Sequence, residues 1–121
     1  MVSMDLKTAV MSYQFGERAK SELIVSSQLC IALTGFPENE KAGGKRMLIL
    51  LLEAVRNELH LAYNSTNVLY FNSAITAVSE AISLVESNQF DAAPAKIAAA
   101  VSASTTPAQN AWQVLSEHGL L

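Results

Sequence analysis

The residues best suited to chemistry stand close together near the middle of the chain. Glu53, Arg56, Asn57, His60 and Asn64 recur at spacings of three, four and seven, which places them on one face of a helix. An Arg and a His sharing a groove could carry acid–base work on a phosphodiester, with Glu53 pairing the guanidinium. The candidate catalytic residues are therefore Arg56, His60 and Glu53. A solvated charged face is the simpler reading of the same stripe. Metal chemistry finds too few ligands: the histidines are His60 and His118, neither follows a Glu by three residues, and Cys30 is the one cysteine. Neither a metal nor a cofactor is expected. Ala42-Gly43-Gly44-Lys45-Arg46 offers glycines and cations ahead of a helix. It lacks the second Gly and the Ser or Thr of a phosphate-binding loop, so it reads as a connection with solvated cations.

Two partial resemblances follow from these residues and from the C-terminal third. Arg56 and His60 resemble the Arg-then-His motif of the HEPN family, helical bundles that include ribonucleases. That motif has four to six intervening residues where this chain has three. The resemblance implies an RNA-cleaving bundle with Arg56 and His60 at its centre. Phe90-Asp91-Ala92-Ala93, with Ile97, Ala100 and Val101, is similar to the second helix of a tetratricopeptide repeat, and Ala111-Trp112 with Leu115 to the start of a following one. Trp112 is one position out of register, and no 34-residue period recurs. This likeness implies an interaction scaffold over about 30 residues.

The elements that would position such groups are all helical. Val2, Leu6, Ala9, Tyr13, Gly16, Ala19, Leu23, Ser26, Cys30 and Leu33 trace one stripe, predicting a first helix from about Met4 to Leu33. Gly16 either permits a close helix crossing or marks a bend. Gly35 is expected to end the helix in a left-handed cap, with Pro37 blocking continuation. Over residues 37–45 two readings stand: Glu38-Asn39-Glu40-Lys41 could open a helix early, while Gly43-Gly44 disfavours one and favours a mobile connection. Met47 to Leu52 is apolar on every side, which implies a central helix surrounded by neighbours.

Thr66 or Asn67 can cap the third helix. Within it Val68, Phe71, Ile75, Val78, Ile82 and Val85 form a regular seam. A fourth helix follows Asp91 with Pro94 in its first turn, and Thr106-Pro107 signals a separate short fifth. Trp112 reads first as a core anchor of that fifth helix. The expected fold is all-α: an up-down antiparallel helical bundle of four main helices plus a short C-terminal fifth, one domain over 1–121.

Composition narrows the function classes. Net charge is −3, so a phosphate-tracking surface is not favoured and nucleic acid is not an expected partner. The uncharged run Leu61–Ser79 carries too many Asn, Ser and Thr to span a membrane, and Met47–Leu52 is too short. Met1-Val2-Ser3-Met4-Asp5 has no basic-then-apolar pattern, so a cytoplasmic chain without a signal peptide is expected. From Leu61 onward only Glu80, Glu86, Asp91, Lys96 and Glu117 are charged. A surface so poor in charge is weakly protected against association. The expected function is therefore non-catalytic: a bundle that forms a homo-oligomer or docks on a protein partner. Its expected interface residues are Val68, Phe71, Ile75 and Trp112. Cys30 sits among apolar neighbours and reads as core filler.

Overall fold

Asp5 opens the first helix: its carboxylate accepts the Thr8 N–H at 2.7 Å. That backbone hydrogen bond holds the Asp5 carboxyl below its ordinary range. The computed structural model describes residues 4–121. Val2, at the head of the expected stripe, lies outside the described residues, as does the Met1–Ser3 part of the leader reading. The elements in order are α1 (Leu6–Leu33), α2 (Glu38–Thr66), α3 (Leu69–Glu86) and α4 (Ala93–Glu117), with no strand among the described residues. None of these helices is long and apolar enough to cross a membrane.

The expected α1 stripe is buried from Ala9 through Gly16, Ala19, Leu23, Ser26 and Cys30 to Leu33. Ser12 takes the buried position beside it, while Leu6 is exposed and Tyr13 half-buried. The helix ends differently from expectation. Gly35 is not left-handed; the chain leaves α1 through tight bonds from Gly35 N–H to Ala32 O and Phe36 N–H to Leu33 O. Among the described glycines, the positive φ belongs to Gly119, at 70° after α4.

Residues 37–45 are not a loose connection, because α2 begins at Glu38 and runs through both glycines. Acidic Glu38 and Glu40 stand in its first turn, where the helix dipole favours them. Packing explains why Gly44 is tolerated. A Cβ there would lie 2.7 Å from Leu33 Cδ1 and 3.0 Å from Phe36 Cε2, so the missing side chain lets the end of α1 close onto α2. Asn67 caps the C-terminus of α2 rather than opening α3: it is left-handed (φ 56°), and its N–H reaches Tyr63 O. Thr66 Oγ1 accepts the Val68 N–H, but the cap of α3 is Val68 itself, without a side-chain cap bond.

The short fifth helix is not a separate element. α4 continues through Pro107, which is buried inside it. Proline removes one ladder bond and usually kinks or ends a helix. Here the hydroxyls of Thr105 and Thr106 both donate to Ser102 O in the turn before it. The contact with α1 on either side holds the helix straight enough to continue.

Each helix packs on two others, α1 and α3 each lying between α2 and α4. Neighbours run antiparallel. On α1 and α4, Ala9 clusters with Ala111 and Leu115, Gly16 meets Ser104 and Ala108, and Cys30 meets Phe90. On α2 and α3, Lys45 pairs with residues 86 and 88, and Arg56 with Ser79. The main core gathers Leu23 and Leu33, Leu52, Val55 and Leu59, Phe71, Val78 and Val85, and Ile97. The α1–α4 crossing is built from small residues, and a Cβ on Gly16 would stand 2.6 Å from Ser104 O. Gly16 is therefore the close-crossing residue and not a bend.

Candidate interaction surface

The Glu53–Arg56–His60 face lies on the side of α2 toward α3, and its charges are engaged in packing. Arg56 Nη1 donates to Ser79 Oγ at 3.3 Å across to α3, and Nη2 lies 3.9 Å from Glu53 Oε2. His60 is exposed one turn later. Arg56 thus acts as a tie between two helices. The nearest groove stops at Glu53 and does not include Arg56 or His60.

That groove, of about 810 Å³, runs along the first half of α2 and the α3–α4 connection. Lys41, Lys45 and Arg46 line it together with Glu38, Glu53, Asn88 and Phe90. Two of the three cations have local work. Lys41 pairs with Glu38 at 3.2 Å, and Lys45 Nζ donates to Glu86 O and Asn88 Oδ1 at 2.8 and 3.0 Å. A cation at the end of α3 neutralises its unsatisfied carbonyls and its dipole. Lys45 therefore closes the α2–α3 packing, which is why a helix rather than a loop suits this stretch. Arg46 is exposed and has no ion pair among the described residues.

The four expected interface residues divide. Phe71 is fully buried and Ile75 nearly so, both in the main core, and Val68 is half-buried against it. The regular seam of α3 closes the protomer's own core. Trp112 is not the core anchor it resembled: it is 55% exposed, over a shallow groove with Tyr13, Glu17 and Gln109. The tight approach of α1 to α4 at Gly16 leaves the indole no room between them.

Further apolar side chains are exposed on the second half of α1 and the first half of α2. Between Glu22 and Glu38 no residue is charged, and Ile24, Val25, Leu29 and Ile31 face solvent. Phe36 is exposed in the turn, and on α2 Met47 is 73% and Leu50 60% exposed. Leu33 lies against Gly44, so the second half of α1 runs alongside the first half of α2. The run Met47–Leu52, apolar on every side, is not covered on every side. The structure buries Leu48 and Leu52, leaves Ile49 and Leu51 half-covered, and turns Met47 and Leu50 outward.

Other titratable groups are structural. Burial pushes the Cys30 thiol up, with Asp91 adding to the effect, and its S–H donates to Phe90 O at 3.2 Å. Glu22 on α1 faces Glu58 on α2. Partial burial raises the Glu22 carboxyl, the Glu58 charge and a hydrogen bond to it raise it further, and Arg18 opposes them. Arg18 also pairs with Glu58 at 3.6 Å. Among the described residues no group of three or more His, Cys, Asp or Glu side chains is placed to hold a metal ion. No family model matches the chain, and no curated protein or solved structure matches it either.

Proposed function

We propose that this chain is a non-catalytic interaction module, a helical bundle that works by packing a helix surface against another protein. One observation carries the reading: Met47 and Leu50 stand open to solvent on α2, while a separate stripe of the same helix fills the core. Isolated exposed apolar side chains are common, but contiguous ones on soluble proteins mark contact sites. The surface proposed is the α1–α2 face, in place of the α3 and C-terminal positions that composition alone favours. Ribonuclease-like action through Arg56 and His60 is the competing proposal, and it draws on nothing beyond their shared helix face.

Site-specific photo-cross-linking tests the module. A photoreactive residue replacing Leu50 should trap a protein in the cells that make the chain. The same residue at Ala98, exposed on the charge-poor face of α4, should trap little. Cross-linking at neither position would remove the reading.

A further inference from the structure

We infer that the occupant of the α1–α2 face is a second copy of this chain, whose α2 lies antiparallel to the first across Met47 and Leu50. The inference rests on the interaction-module reading and names the partner for that surface.

Two stripes run along α2. Leu48, Leu52, Val55, Leu59 and Ala62 are buried in the protomer. Gly43, Met47, Leu50, Ala54, Asn57 and Leu61 recur at alternating spacings of four and three, and all six are exposed. That alternation is the seam by which one helix packs along another. A helix at the edge of a lone bundle needs one such stripe; α2 has a second with no neighbour to receive it.

The open seam matches itself. A two-fold contact brings one patch onto its own copy, so that if residue i meets j, then j meets i. With Met47 opposite the second copy's Leu50, Leu50 is opposite its Met47. Ala54 then falls level with Gly43, small against small, both of them exposed in the protomer. Met47 and Leu50, the most exposed large apolar side chains of α2, thus cover one another across the two-fold.

Charge selects the same register. Arg46 and Glu53 flank the seam on one side, seven residues apart. In the antiparallel arrangement Arg46 of each copy comes against Glu53 of the other, twice. Arg46 has no ion pair among the described residues, and Glu53 has a long one to Arg56 at 3.9 Å. A parallel pairing would set Glu53 against Glu58 and leave Arg46 facing Leu51, so like charges disfavour it. From Gly43 to Leu61 the stripe is about 27 Å long at 1.5 Å per residue.

Absolute mass by light scattering after gel filtration, on the full chain from micromolar to several hundred micromolar, tests this. The expected mass is twice the 13.0 kDa of one chain. Arg46→Glu alone and Glu53→Arg alone should each raise the dimer dissociation constant at least tenfold, with helical circular dichroism unchanged. Mixed in equal amounts, the two variants should form a heterodimer, because every contact between copies is then Glu against Arg. A wild-type monomer throughout the range overturns the inference. So does a dimer that neither reversal weakens, or reversals whose mixture restores nothing. The two readings fail separately: a monomer that still cross-links another protein at Leu50 loses the second copy and keeps the module.

Discussion

Glu22 shows how one residue carries a readable consequence at the scale of the side chain. Its carboxyl is raised above the ordinary 4.5 by burial and by the facing Glu58. The folded chain therefore holds that proton more tightly than the unfolded one. The associated stability is fully present below the unfolded value and is lost as pH rises through the raised folded value. Glu22→Gln mimics the protonated form at every pH. The variant should match the parent at acidic pH and exceed it at neutral pH, measured as urea midpoints on both sides of 4.5. A midpoint gain equal at both pH values would assign the effect to something other than this carboxyl pair. None of this was legible in the sequence, because Glu22 and Glu58 meet only through the antiparallel register of α1 and α2. Arg56 and His60 were legible as neighbours on a helix, since spacing alone fixes that. That Arg56 turns toward Ser79 depends on α3, which helix spacing cannot report.

Elements were read well where their own period decided them and poorly where packing overrode local preference. The stripe from Ala9 to Leu33 and the seam from Phe71 to Val85 are buried as their spacing predicts. Gly43-Gly44 and Pro107 are local breakers that became helical, the first under the weight of Leu33, Phe36 and Lys45, the second inside the α1–α4 contact. Gly16 makes that contact testable. Helix propensity alone favours alanine there by about 1 kcal/mol. The added Cβ would meet the backbone oxygen of Ser104 at 2.6 Å and Ala108 Cβ at 2.9 Å. A backbone oxygen cannot swing aside as a side chain can, and over-packing of this kind costs about 1–3 kcal/mol. Gly16→Ala should therefore lower stability, by up to about 2 kcal/mol net, seen as a fall in urea midpoint. A stabilised variant would mean that α1 and α4 stand further apart than described.

Across the whole molecule, the all-helical character follows from composition and period, while the placement of the surface does not. A scarcity of charge after Leu61 pointed to α3 and the C-terminus. In the folded chain, however, the seam of α3 from Phe71 to Val85 closes the protomer's own core, while Leu69 and Tyr70 at its start are exposed. The informative signal was the double stripe in α2. A segment apolar on every side must be covered on every side, but the cover can come from the same chain or from another. Separating residues 48, 52, 55 and 59 from 43, 47, 50, 54 and 61 would have exposed the second seam. Its meaning still required knowing which of the two faces the other helices take.

The most direct test of a covered α1–α2 face is the oxidation rate of Met47 under hydroxyl-radical footprinting, read by mass spectrometry. Met47 is 73% exposed in the protomer, and an exposed thioether oxidises readily. The account predicts strong protection of Met47 in the native chain at high concentration, and loss of that protection in Leu50→Glu. Met47 oxidising in the native chain as fast as in that variant would contradict it, because the face would then be open to water.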